Sequence, residues 1–290
     1  MSWQVLMLLQ NVFASAYALQ SRQLAKKYKS AHFQILAVTF VTMYLVFICY
    51  ALLNVSSISL ITPVQFSGTI VLTGLYFTVW TVLTFLVYRF VDAAIGTLLT
   101  TLNLVAVIVT ASILLGESLT LLQGVGAVLL LGSIFIISSA HLSKTKQHNL
   151  VVAICLSLIA SVFFGLAIAN EKYLLDHMGA PTYLIFGVGA QVVPLLFLAF
   201  LYKPREFRHF KQVKFRKNVI IMGLTRAGAG LLFILSLVLA NNASLVGVLS
   251  GLKIILTTIL AAILLKEVML MKRKIVASVI AFFGVGILLW

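Results

Sequence analysis

Apolar runs long enough to cross a lipid bilayer recur along the whole chain, and they limit its fold more than any other feature. The hydrocarbon layer is about 30 Å thick, so a crossing helix needs roughly 20 apolar residues. Runs of this kind fall near residues 3–21, 33–53, 64–88, 93–115, 119–139, 150–170, 181–202, 218–240, 243–265 and 274–290. Only 9% of the residues are charged, against about a quarter in a soluble domain, and no polar block remains for one. The expectation is an all-α membrane protein with ten transmembrane helices. The first run follows Met1 directly, without a basic leader or a small-residue cleavage site, and reads as a retained helix. Trp290 reads as an interfacial anchor. Cys49 and Cys155 lie inside apolar runs and read as buried thiols, not as a disulfide framework or metal site. No cofactor is expected.

The formal charge of +15 does not point to nucleic acid, because the basic residues sit in short loops between apolar runs. Arg22, Lys26, Lys27 and Lys29 follow the first run, Arg89 the third, and Lys144 and Lys146 the fifth. Lys203, Arg205, Arg208, Lys211, Lys214, Arg216 and Lys217 follow the seventh, and Lys266, Lys272, Arg273 and Lys274 the ninth. The loops on the other side offer only Lys172. The positive-inside rule therefore places the loops after odd-numbered runs in the cytoplasm of a cell (inner) membrane protein, with both termini outside. The same basic loops suit contact with anionic lipid headgroups.

The two halves resemble each other. Ala93 to Glu117 overlays Ala243 to Glu267 without a gap, matching Leu99 with Leu249, Leu102 with Leu252, Ala111 with Ala261 and Glu117 with Glu267. The Glu pair carries weight because the chain has only six acidic residues. Upstream, Ala14-Ser15 aligns with Ala160-Ser161, and Lys26 with Lys172. The chain thus reads as two five-helix units, 1–140 and 150–290. An odd helix number forces the second unit to insert upside down. The charges agree: the basic loop Arg22 to Lys29 repeats as the near-neutral Glu171, Lys172 and Asp176. Inverted repeats are a transporter architecture, with the substrate near the midplane between repeats.

On these features the chain resembles the drug/metabolite transporter superfamily, in its ten-helix EamA-like branch. The resemblance covers essentially the whole chain and rests on the five-plus-five repeat, on Leu114-Leu115-Gly116-Glu117, and on its counterpart Leu264-Leu265-Lys266-Glu267. Gly124, Gly126 and Gly132 follow the first Glu, and Gly284 and Gly286 the second. Two departures stand out. Many EamA-like proteins carry a Pro within the fourth and ninth spans, and here neither does. They also often have cytoplasmic termini. Ser250-Gly251-Leu252-Lys253 is loosely similar to the ninth span of nucleotide-sugar and triose-phosphate translocators, which share the superfamily and carry an embedded Lys there.

Lys253 lies about ten residues from either end of its run, too far to reach water by stretching its side chain. It needs a polar partner, a water-filled cavity or an anionic ligand. Its counterpart is Asn103, and the same alignment pairs Arg226 with Tyr76. The structural alternative for the two cations is bonding to helix carbonyls, and for Asn103 and Tyr76 a bond across helices. Gln4, Asn11, Ser15, Ala18 and Arg22 make one small or polar face of the first span, either lining a site or packing as a seam. Trp80, one turn from Tyr76, either walls a ligand or packs. The substrate-binding set is therefore Lys253, Arg226, Asn103, Tyr76, Asn11 and Trp80. Glu117 and Glu267 read as loop anchors or helix caps. Gly228 and Gly230 beside Arg226 leave room for a ligand, and Gly223 reads as helix packing.

No carboxylate falls in the middle of any span, and all five His residues lie in loops or at span ends. A cation/proton antiport built on a first-span Glu, or a His relay, is not expected. The interior should be neutral to positive and favour a carboxylate or phosphate. The leading reading is a secondary transporter of small organic metabolites working by alternating access, and not an enzyme. A lipid-carrier flippase or its subunit is the alternative, followed by an integral-membrane lipid enzyme. The partners are a small-molecule substrate and the bilayer, and ten helices suit a monomer or a homodimer equally. A terminal tag is expected to be digested by protease added on the non-cytoplasmic side; digestion from the cytoplasmic side alone would reverse the orientation.

Overall fold

A computed structural model describes residues 2–53, 58, 62–115, 120–139, 144–239 and 249–288. Glu117, Trp290 and the start of the ninth run, 243–248, lie outside the described residues. Every regular element among the described residues is helical. Apart from two short pieces, Thr62–Gln65 and the 3₁₀ helix Pro204–Lys211, the helices are α1 (Trp3–Lys27), α2 (His32–Leu52), α3 (Ser67–Phe90), α4 (Ala93–Thr100), α5 (Leu102–Leu115), α6 (Leu121–Ser138), α7 (Lys144–Met178), α8 (Ala180–Leu201), α9 (Val213–Leu239), α10 (Leu252–Leu264) and α11 (Met271–Leu288). Among the described residues six stretches are long and apolar enough to cross a membrane: His32–Leu52, Ser67–Phe90, Leu121–Ser138, Lys146–Leu175, Ala180–Leu201 and Val213–Ser236. Large apolar side chains such as Phe135, Phe197 and Phe200 stand outward on these helices, where lipid tails solvate them at no cost.

Two runs differ from the expected continuous helices. At Thr101, between α4 and α5, the hydrogen-bond ladder tightens: Thr101 N donates to Leu98 O (3.1 Å) and Leu104 N to Thr101 O (3.0 Å). These are i to i+3 bonds, a short 3₁₀ turn inside an α-helix. Thr100 and Thr101 help to cause it, their hydroxyls donating to Thr97 O (2.7 Å) and Leu98 O (2.6 Å), since such back-bonding bends helices. The same change occurs at Gly251, where Ile254 N donates to Gly251 O (3.0 Å). Thr101 and Gly251 are counterparts in the alignment of the halves. The proline that these spans lack is thus not needed to interrupt them.

The structure also moves three expected positions. Helix α7 runs 35 residues, from Lys144 to Met178, and joins α8 through Gly179 alone. Gly179 has φ 71° and ψ 160°, an extended backbone at positive φ that is open essentially to glycine alone. Glu171, expected in a loop, therefore lies on a helix. Cys49 and Cys155 are exposed, on outward helix faces, because an apolar run around a thiol does not say which way it points.

The main helix contacts come in matched sets. Helix α3 packs on α7 as α9 packs on α1; α5 packs on α7 as α10 on α1; α3 packs on α8 as α9 on α2. The pairs α2 with α8 and α6 with α11 map onto themselves. Glycine sets two of the close crossings, as small residues do between helices in lipid. A Cβ on Gly74 would run into the Ala190 carbonyl on α8, and one on Gly223 would lie 2.8 Å from Thr39 O on α2. Gly68, on the same helix as Gly74, has nothing within 4 Å of that position. Gly74→Leu is expected to lower thermal stability in detergent by about 1–3 kcal/mol. Gly68→Leu should change it by less than about 0.5 kcal/mol.

Candidate functional site

The interruption at Gly251 shows how one side chain organises the interior. In a continuous helix Lys253 N–H would bond to Leu249 C=O. Instead the Asn11 amide, from α1, stands between them. Its Nδ2 donates to Leu249 O (2.8 Å) and to Met7 O (2.9 Å), while its Oδ1 accepts from Lys253 N (3.0 Å). Both groups freed by the break are thereby satisfied, which an apolar interior demands. Ser15, one turn along α1, reaches Lys253 O at 3.4 Å. Asn11 is buried and its amide protons are spent, so it positions Lys253.

In the first half, Asn103 occupies the equivalent place in the first turn of α5. Its Oδ1 lies 2.9 Å from Ser161 Oγ, and that hydroxyl also lies 2.7 Å from Ser157 O. Ser161 is the counterpart of Ser15, so the contact repeats the one between Ser15 and Lys253. The Asn103 amide nitrogen donates to no described residue.

Arg226 projects from α9 into a group of aromatic rings. Its guanidinium carbon lies 5.4 Å from the Tyr17 centroid, 5.5 Å from Trp80 and 6.0 Å from Phe40. Each such contact contributes about 0.5–2 kcal/mol. Rings accept little from N–H edges, however, and Arg226 Nε is buried without a partner. Trp80 Nε1 is likewise buried and unpartnered, its ring resting on Phe164 at 4.8 Å. Tyr76, the counterpart of Arg226, packs on Phe163, the counterpart of Tyr17, at 6.1 Å. None of the ion pairs among the described residues includes Arg226 or Lys253. Gly228 and Gly230 leave no free room, because Phe13 and Phe47 rings lie 3.0 and 2.9 Å from where their Cβ atoms would be.

Arg226 and Trp80 meet directly, and Lys253, held from behind by Asn11, lies within electrostatic range of Arg226. Tyr17, Phe40 and Glu171 join them without having been singled out by sequence. Glu171 faces Tyr183 of α8. A Tyr or Phe in an apolar run carries no signal of its own, but Tyr17 is findable as the counterpart of Phe163 opposite Tyr76.

The model of the EamA-like transporter family matches the chain twice, over residues 1–139 and 151–290. The chain belongs to the EamA-like transporter family. No curated protein sequence matches it. This EamA-like chain is thus a multi-pass membrane transporter of small molecules.

A second polar group of this EamA-like protein lies away from the Arg226 region and fulfils the expectation that Glu267 caps a helix. Arg22 Nε donates to Glu267 Oε1 (3.0 Å), and its Nη1 to Tyr88 O (2.8 Å) and Arg89 O (3.1 Å), the last carbonyls of α3. Glu267 Oε2 accepts from Ala93 N (2.8 Å), at the start of α4. Asp92 receives Lys274 Nζ at 2.6 Å and faces Arg22 Nη2 at 3.5 Å. The turn between α3 and α4 is thus capped on both sides, each charge complementing the helix end it meets. Arg22 and Lys274, expected as loop cations, are buried here because these carboxylates neutralise them.

Replacing Asn11 by Leu leaves Leu249 C=O and Lys253 N–H to find each other or go unpaired. Asn11→Leu is expected to lower thermal stability by about 1–3 kcal/mol. Its neighbour Gln10 has a buried Oε1 with no partner, so Gln10→Leu should leave stability unchanged or raise it. Equal losses from the two substitutions would remove the role given to Asn11.

Proposed function

We propose that the chain is a secondary transporter of small organic anions, bearing a carboxylate or phosphate, that works by alternating access between two inverted five-helix units, residues 1–140 and 150–290. The observation that carries the reading is a surplus of buried donors. Arg226 Nε and Trp80 Nε1 have no acceptor, and the Lys253 ammonium has no ion-pair partner among the described residues. A buried donor without an acceptor is unfavourable by about 1–3 kcal/mol, more if charged, and an anion would satisfy several at once. Of the six acidic residues, Asp92 and Glu267 are engaged with Arg22 and Lys274, and Glu206 with Ser30 and His209. Glu171 faces Tyr183 and makes no ion pair with Arg226 among the described residues. The matched helix contacts and the paired interruptions at Thr101 and Gly251 support the two-unit reading. Both interruptions start a helix, whose N-terminal N–H groups favour an anion.

In this reading Lys253 and Arg226 hold the anionic group, Trp80 and Asn103 donate to it, and Tyr76 borders it. Asn11 fixes the α10 terminus. The ten spans cross a cell membrane with the basic loops in the cytoplasm. The test is a thermal-shift panel on purified protein with amino acids, organic acids, sugar phosphates, nucleotide sugars and organic cations. A ligand near 100 times its Kd adds about 2.7 kcal/mol of stability. One anionic class should stabilise the wild type. Lys253→Ala and Arg226→Ala should each weaken its binding roughly 10- to 100-fold and abolish saturable flux. Stabilisation by organic cations, untouched by either substitution, would overturn the reading.

A further inference from the structure

We infer that the cluster of Arg22, Glu267, Asp92 and Lys274 is the gate that closes one end of the transport path, with the apolar contact of Leu19, Ala93 and Ala261 as its second layer. This rests on the transport reading above. The bonds run between the halves: Arg22, Asp92 and Ala93 belong to the first, Glu267 and Lys274 to the second. They join the tip of the turn between α3 and α4 to the tip of the turn between α10 and α11. Side-chain exposures are 9% for Arg22, 12% for Glu267, 22% for Asp92 and 2% for Lys274. Two cations meet two carboxylates, so the closed cluster is neutral as a unit. Beside it Leu19, Ala93 and Ala261 pack as a separate small apolar core, joined by Leu260 and Leu265. Ala93 belongs to both layers, since its N–H binds Glu267.

Three further features mark a device that opens. Helix α4 reaches from the tip to the 3₁₀ turn at Thr101, and α10 from Gly251 to the other tip. At 1.5 Å per residue these are arms of about 12 and 20 Å, each with an interruption at its inner end. Lys266 and Leu270, on either side of Glu267, have φ of 56° and 58°. Left-handed backbone is strained for residues with a Cβ, and both such positions fall in the turn that carries Glu267. Lastly, the cluster is balanced only when shut. Removing one carboxylate strands a buried cation, which an open, wet state releases. A cluster that merely stapled the fold would lose stability without any preference for opening.

The test places Ala261→Cys in a Cys49→Ser, Cys155→Ser background and adds a membrane-impermeant maleimide on the cytoplasmic side. Both native thiols are exposed on outer faces, so their removal disturbs little. The parent should label slowly. Glu267→Gln and Asp92→Asn should each speed labelling by about tenfold or more. The exchanged pair Asp92→Lys with Lys274→Asp should return it toward the parent rate. Arg22→Lys keeps the charge while losing the fork to Glu267 and the α3 carbonyls. It serves if the carboxylate variants do not fold, and should give a smaller rise. Unchanged labelling in a folded variant, or fast labelling in the parent, overturns the gate. No substrate enters this assay, so its failure and that of the anion reading are separable.

Discussion

In hydrocarbon a backbone N–H or C=O that loses its helical partner has no water to turn to, and the interior of this protein is arranged around one such loss. The ladder bond between Leu249 C=O and Lys253 N–H is intercepted by the Asn11 amide, which both accepts and donates. A carboxylate there would lack the donor, and an alkyl chain would lack both functions. Because the amide comes from α1, the direction of α10 depends on a helix of the other half. The position and aim of Lys253 follow from that bond. In the first half the equivalent turn is relaxed by threonine hydroxyls, and Asn103 leans on Ser161 instead. The two halves use different chemistry to interrupt the same place.

Charge is distributed in two contrasting ways. In the cluster where Arg22 meets Glu267, both buried cations, Arg22 and Lys274, have a carboxylate and a carbonyl within hydrogen-bonding distance. Around Arg226 the donors outnumber the acceptors, and rings take the place of counterions. A closed gate gains from matched charges because nothing else enters it. A binding site gains from unmatched ones, because its missing acceptors arrive with the ligand. In the proposed reading Glu171, within electrostatic range of Arg226, would limit how much negative charge a ligand can bring before repulsion sets in.

Much of the fold was legible from apolar run lengths and from the match of the halves, because lipid permits few spanning structures. Lys253 and Arg226 were legible because a cation in an apolar run is rare and expensive. The ion cluster was only partly so. Glu267 stood out as a repeated acid and a helix cap, yet its partners Arg22 and Lys274 looked like ordinary loop cations, since pairing depends on which tips meet. Glu171 was misplaced because α7 continues past the length that crosses a bilayer, and a polar stretch near a span end reads the same in a helix as in a loop. Tyr17, Phe40 and the outward thiols carry the periodicity of their helices, but apolar runs without a polar face do not reveal which side turns inward.

The proposed site and the proposed gate lie at opposite ends of one short helix. Lys253 occupies the first turn of α10, just after Gly251, and Leu265 ends the helix two residues before Glu267. A ligand can shift a conformational equilibrium only through a difference in its affinity for the two states. In the transport reading proposed above, that difference would have a mechanical route: drawing the Lys253 ammonium toward an anion on Arg226 would tilt α10 about Gly251 and move the tip that carries Glu267. Gly251 suits this pivot, having no side chain to lock its turn, whereas Thr101 is tied by its hydroxyl to Leu98 O.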